Sequence, residues 1–305
     1  MPFSKACSRT WGRPMLASKS FSIGHPTDLS EVDTLVAVLL SGHSGSASAA
    51  ALEHLSSPGK QVRASLALHS ALSLGLDLRA AVAIAAASEL IHNASLVHDD
   101  IQDGSHLRRG NSTLWARHGR DIAICAGDLM ISAAYAALAQ VGGPHVSRAL
   151  ARMHERISQV IHGQVSDLAA RDAASATFFQ YRTIAVAKSA PLLGLPLELS
   201  LIHAGRLDCL VQAERAADAF ALAYQMADDV EDAESDMASG SLNAVVMFAR
   251  EMPIERARLL VRRLVYRTFR QASRLARSLP SESGALMASM ANERAWAVQG
   301  RPFRS

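Results

Sequence analysis

The stretch LRAAVAIAAASELIHNASLVHDDIQD, residues 78–103, decides how the rest of the chain is read. Its apolar residues lack the strict alternation of a half-buried strand, and alanine and leucine, both strong helix formers, dominate it. The run is therefore a long helix, and it ends on Asp99, Asp100 and Asp103. Asp99 and Asp103 are four residues apart and share a helix face, while Asp100 lies about 100° round from Asp99. Like charges stacked at that spacing repel, so something must stand between them: a metal ion, the Arg108–Arg109 pair that follows at once, or water.

Working outward, long apolar-periodic segments separated by short polar or Gly/Pro breaks cover the chain from residue 28. Helices are expected over 28–40, 47–55, 60–74, 78–103, 122–141, 146–170, 178–201, 207–232, 241–248, 254–276 and 283–298. The breaks SGHSGS, SSPG, GLD, RRGNST and VGGP carry helix-terminating chemistry. No stretch keeps a period of two and nothing resembles a flexible linker, so the expected architecture is all-α, one domain over residues 28–305. The first 27 residues hold no acid and several basic and hydroxyl residues, and are expected to be a disordered lead rather than a transit peptide.

A net charge of +3 without a dense Lys/Arg block argues against a nucleic-acid partner. Cys7, Cys125 and Cys209 are odd in number and form no CxxC pair, so reduced thiols in a cytosolic-type compartment are expected. The alanine-rich stretch 80–90 is short for a membrane span and contains Glu89, so no stable membrane insertion is expected. The segment REMPIERARLLVRRLVYRTFR, residues 250–270, has a basic amphipathic face, read as solvated in preference to membrane-leaning.

The motif HDDIQD at 98–103 is echoed by ADDVED at 227–232. Asp228 and Asp232 again share a face, with Asp229 beside them. Carboxylate oxygens suit a hard divalent ion such as Mg²⁺, which completes its shell with water and phosphate oxygens. One such cluster is as readily a solvated acidic face. Two copies, each at the end of a strongly apolar helix (SELIHNASLVHDD and AFALAYQMADD), weigh against that, and facing helices would place carboxylates on opposite walls of a cavity mouth. Lys60 and Arg63 stand at an expected helix start, a position that favours anions. Together with Arg108 and Arg109 they offer the point charges and forks that suit diphosphate.

The order Lys60…Arg63, Glu89-x-x-His92, HDDxxD, RRG, GD, GQxxD, Lys188-Ser189 and QxxDDxxD resembles the trans-isoprenyl diphosphate synthase (polyprenyl synthetase) family, geranylgeranyl diphosphate synthases above all, over residues 58–236. The resemblance implies a helical bundle around a deep central cavity, a cytoplasmic homodimer, and condensation of isopentenyl diphosphate with dimethylallyl, geranyl or farnesyl diphosphate. It assigns Asp99, Asp100, Asp103, Asp228, Asp229 and Asp232 to Mg²⁺ (three ions by that resemblance) and the allylic diphosphate. Lys60, Arg63, His92 and Arg109 would hold isopentenyl diphosphate, and Arg108 would reach the allylic diphosphate. Lys188 and Gln225 match catalytic positions flanking the allylic group, and Gln164 with Asp167 a supporting polar pair. Small Ala94 and Ser95, just ahead of Asp99, imply a product longer than C15, with C20 geranylgeranyl diphosphate expected. Met130, Ile131 or Tyr135 would form the floor of that pocket, unless they are ordinary core.

The sequence also departs from the family pattern. Gln61 and Ala64 replace an arginine and a proline, Ser112 a proline, Trp115 a histidine and Ser189 a threonine. The lysines common after the second motif are missing, and AESDMASGSLNAVVMFAR offers no cation before Arg250. Arg301 or Arg304 folding back is one way to supply the charge. Three other readings are weighed: a class I terpene cyclase, which would carry N-x-x-x-S-x-x-x-E in place of ADDVED; a non-catalytic subunit, which typically loses one motif; and a di-iron bundle, which needs a second E-x-x-H.

Overall fold

The computed structural model describes residues 28–42, 45–56, 59, 61–170 and 177–299. The expected lead over 1–27, Lys60, Arg301 and Arg304 lie outside the described residues. Within them the protein is all-α, with twelve α-helices and one hairpin of two-residue strands. It forms two compact units, residues 1–150 and 151–305.

The first unit holds α1 (Ser30–Leu40), α2 (Ser46–Ser56), α3 (Val62–Ser73), α4 (Leu78–Gln102), α5 (Leu114–His118) and α6 (Arg120–Ala139). Its axis is α4, the quoted stretch. Every residue from 80 to 91 is buried, because α1, α3 and α6 pack around it and its alanines let their backbones come close. The Asp77 carboxylate caps the helix by accepting from the Ala80 amide at 2.7 Å. Fully buried Ile84 and Leu90 each contribute roughly 1.5–3 kcal/mol of hydrophobic stabilisation.

After α4 the chain turns through β1 (Leu107–Arg108) and β2 (Asn111–Ser112), with Arg108 paired to Asn111. Arg109 (φ 53°) and Gly110 (φ 83°) occupy the turn, as a two-residue hairpin with positive φ at both centres requires. In the sequence RRGNST reads as a plain break. Strands of two residues are too short to show an alternation.

The second unit holds most of α7 (Val146–Ala170), then α8 (Phe178–His203), α9 (Leu210–Ser239), α10 (Ala244–Phe248), α11 (Ile254–Arg277) and α12 (Ala285–Gln299). Thr177 and Gln180 start α8 with a reciprocal capping box. Helix α9 runs past the expected end at residue 232, because nothing in AESDMAS stops it until Gly240 takes a left-handed conformation (φ 71°). Helix α11 buries Ala257, Val261, Val265, Phe269, Ala272 and Ala276 against α9 and α12, leaving Arg256, Arg263, Arg267 and Arg270 exposed.

Contrary to the sequence reading, α4, α6 and α8 are long and apolar enough to cross a membrane by length and composition. In α4 and α8, 78% of the most apolar window is turned inward, so most of that hydrophobicity is consumed by packing; in α6 the share is 44%.

Candidate functional site: two aspartate motifs and a cationic pocket

In the first unit one pocket gathers Arg63, His92, Arg108 and Arg109 with His54 and Arg117. Arg63 comes from the first turn of α3, whose start is tied to α4 where the Ala64 amide donates to Glu89 Oε2 at 3.3 Å. Asn93 donates to the other oxygen of Glu89 at 3.1 Å. Glu89 therefore anchors the pocket wall, and its carboxyl is pushed up by burial against the opposing field of Arg63. Gln61, the departure from arginine, adopts a left-handed conformation (φ 42°) ahead of α3 and donates to Asp33 on α1 at 2.6 Å. Its side chain is thereby tied to α1 at the edge of the pocket that it helps to line.

Burial, then the arginine charges, drive both histidines of the pocket toward neutrality. His92 lies well below the usual imidazole range and His54 is lowered to about 4. Each can then donate one hydrogen bond without adding to the charge of the arginines. His54 sits in α2 and Arg117 in α5. Sequence reasoning missed both, although His54 lies only six residues before Lys60.

The two acids that open each motif diverge in environment. Asp100 is buried and gripped by Arg108 Nε at 2.9 and 3.0 Å and by Nη2 at 2.8 Å. Arg108 Nη1 is buried with no hydrogen-bond partner among the described residues. Asp99 and Asp103 are half-buried on the adjoining face. His98 lies 3.6 Å from Asp128 on α6, in a space that exists because residue 127 is glycine. The Trp115 indole, the departure from histidine, donates to the Ser105 carbonyl at 2.9 Å and braces the turn below Asp103.

The second motif repeats the division. Asp229 is buried, accepts from the Ala244 amide at 2.8 Å and from Gln225 Nε2 at 3.0 Å. Asp228 and Asp232 are half-buried. Fully buried Asn243 donates to the Asp229 carbonyl and to Asp236 Oδ2, both at 2.8 Å, and accepts from the Val245 amide at 2.8 Å. The segment expected to carry lysines is thus a hydrogen-bonded knot closed by Asn243, with no cation in it before Arg250. A single Asn in a polar run gave no signal of it.

Lys188 and Asp167 meet at 2.9 Å, as α7 crosses α8. Pro191 has no N–H to give the Ala187 carbonyl four residues back, and Gly163 fits against that spot: a Cβ there would fall 2.6 Å from the Ala187 carbonyl carbon. Neighbouring Gln164 is buried, and its side-chain amide has no hydrogen-bond partner among the described residues.

Both motifs fit a hard cation that brings further ligands with it. Among the described residues no three His, Cys, Asp or Glu side chains form a ready-made cage. The donors are oxygens alone, and in the second motif Asp228 is pushed up to about 8 by burial and by Asp229 and Glu231. A carboxylate crowded by others and short of positive charge suits Mg²⁺ that arrives with diphosphate oxygens.

The fold and these motifs define a class of protein, and comparison with known proteins agrees. The polyprenyl synthetase family profile matches residues 46–242, and the chain belongs to that family. Its sequence is 34% identical to the short chain isoprenyl diphosphate synthase of Methanothermobacter thermautotrophicus over 222 residues, 68% of each chain. It is 34% identical to the (2E,6E)-farnesyl diphosphate synthase of Mycobacterium bovis over 173 residues, and there the match spans about half (48%) of the relative's length. The fold is that of the geranylgeranyl pyrophosphate synthetase from Geoglobus acetivorans, with a TM-score of 0.78 at 24% identity, covering 88% of this chain and 97% of the other.

Proposed function

We propose that the protein is a trans-prenyltransferase that condenses isopentenyl diphosphate with an allylic diphosphate, most suitably to the C20 product. The observation that carries this reading is the pocket at the end of α4, where Arg63, His92, Arg108 and Arg109 converge beside the buried Asp100. Arg63 and Arg109 bind the diphosphate of isopentenyl diphosphate, with Lys60 beside them in sequence. Neutral His54 and His92 donate to it without raising the local charge. Arg108, held by Asp100, presents its unpartnered Nη1 to the allylic diphosphate.

Asp99 and Asp103 in one motif, and Asp228 and Asp232 in the other, would hold Mg²⁺, which when bound neutralises the departing diphosphate. Asp100 and Asp229 keep those faces in register through Arg108 and the Ala244 amide. Lys188 and Gln225 orient the allylic group, with Gln164 and Asp167 behind Lys188. No protein nucleophile is needed, since the double bond of isopentenyl diphosphate attacks and a proton then leaves to restore an alkene.

Small Ala94, buried at 1% exposure, and Ser95, whose hydroxyl donates to the His92 carbonyl at 2.7 Å, support a product longer than C15. The relatives named above are farnesyl, short-chain and geranylgeranyl synthases, so length rests on this local packing. The reading includes a homodimer working in the cytoplasm. The test is incubation with isopentenyl diphosphate, Mg²⁺ and each allylic primer in turn, with products sized by mass spectrometry. A C20 diphosphate is expected. No condensation with any primer would favour a non-catalytic subunit, and a cyclic hydrocarbon a terpene cyclase.

A further inference from the structure

The second aspartate motif lies in a strongly one-signed stretch. Asp228, Asp229, Glu231, Asp232, Glu234 and Asp236 follow one another, and no lysine or arginine occurs between them and Arg250, which is exposed. Asp229 and Asp236 are satisfied by the Ala244 amide and Asn243. Asp228 has no hydrogen bond or ion pair among the described residues, so its charged form needs balancing from further off or by a ligand.

Arg258 pairs with Glu234 at 3.3 Å, and a second cation acts on Asp228. Arg294 projects from α12, and its guanidinium carbon lies 5.0 Å from the centre of the Tyr224 ring. Tyr224 is four residues before Asp228 on α9, so both occupy the same helix face. A guanidinium over an aromatic face is attracted to the ring without using any of its five N–H donors. Arg294 Nη2 is buried and makes no hydrogen bond among the described residues, an arrangement that costs free energy unless something binds it. Arg294 is also the only cation among the leading charges that act on Asp228, where it opposes Asp229, Glu231 and Asp232. It lies beyond residues 46–242, the span matched by the family profile.

We propose that Arg294, stacked on Tyr224, is a diphosphate-binding residue that works beside Asp228 and supplies the positive charge absent from the segment after the second motif. The inference rests on the proposed prenyltransfer reading and adds a residue to it. A planar fork with a free Nη2, set one helical turn from a carboxylate, suits a phosphate oxygen shared with a cation on that carboxylate.

The test uses the full chain and inorganic pyrophosphate with Mg²⁺, followed by calorimetry. Arg294→Met is expected to weaken Mg²⁺-dependent pyrophosphate binding about tenfold or more, and Arg294→Lys to recover part of the loss. In steady-state assays the KM for the allylic primer should rise with Arg294→Met while that for isopentenyl diphosphate stays unchanged. Pyrophosphate affinity in Arg294→Met equal to the parent's would overturn the proposal, as would an equal rise in both KM values. Should Arg294→Met fail to fold, Arg294→Lys and Arg294→Gln decide the question by the same comparison. If the parent binds no pyrophosphate with Mg²⁺, or binds it equally after Asp228→Asn, the prenyltransfer reading itself fails, and the assignment of Arg294 with it.

Discussion

Arg108 holds Asp100 with three contacts, two from Nε at 2.9 and 3.0 Å and one from Nη2 at 2.8 Å, and Asp100 is only 2% exposed. A buried carboxylate left without its partner is strongly destabilising, whereas replacing both partners by neutral groups is far milder. Arg108→Met should therefore lower stability by roughly 3 kcal/mol. Adding Asp100→Asn should restore most of that loss while leaving the protein inactive. Denaturant midpoints with activity assays check this, and an Arg108→Met protein as stable as the parent would show that the pair is not what holds the turn.

Gly127 leaves room for the His98 ring. A Cβ there would fall 2.3 Å from His98 Nε2, and His98 immediately precedes Asp99. Gly127→Ala should cost about 1–3 kcal/mol by overpacking and weaken Mg²⁺-dependent pyrophosphate binding by displacing the start of the motif. Combining it with His98→Ala removes the clash and should recover the stability. If the single variant melts with the parent, the ring has another place to go and the motif does not depend on this fit.

The helices were legible because a helical period recurs in almost every segment and the breaks carry the right terminators. The acids and cations were legible because charge at the end of an apolar run is conspicuous. What escaped depended on partners remote in sequence or on elements too short for a period. Nothing in HDDIQD or ADDVED tells that Asp100 is spent on Arg108, or Asp229 on the Ala244 amide. Asn243 looks like any loop asparagine until its donors are traced to Asp229 and Asp236. Arg294 is one arginine among many until α12 is seen to bring it over Tyr224.

A pH dependence follows from the charged cluster of α7, α8 and α9. Arg156 binds buried Glu198 at 2.6 Å and reaches Glu214 at 3.1 Å, and Asp218 faces this group with Arg182 at longer range. Burial, with Glu214 adding repulsion, raises the Asp218 carboxyl from its ordinary 3.8 to about 6. Because the folded state holds this proton more tightly than the unfolded chain, the stabilisation is fully present below about pH 4 and is lost as pH rises through about 6. Asp218→Asn should remove that dependence and stabilise the protein at pH 7 and above, by on the order of 1 kcal/mol after solvent screening. Tm measured from pH 4 to 8 should show the parent falling away from the variant across that window. Parallel curves would mean that Asp218 titrates as an ordinary surface acid.

The product-length reading turns on Ala94. The residue is 1% exposed on α4, which packs along α6, where Met130 is fully buried and Ile131 and Tyr135 half-buried. If the growing chain passes this wall, its room is set by the smallest side chains, and a phenyl ring in place of the Ala94 methyl closes it. Ala94→Phe should then shift the main product from C20 toward C15 or shorter while the first condensation continues. Overpacking a dense core would add a loss of about 1–3 kcal/mol, so Tm must be recorded beside product size. Met130→Ala should act in the opposite direction if Met130 forms the floor, and should only destabilise, by about 2–5 kcal/mol, if it is ordinary core. A folded Ala94→Phe enzyme with an unchanged product distribution would remove Ala94 from the pocket wall and leave chain length to be set elsewhere.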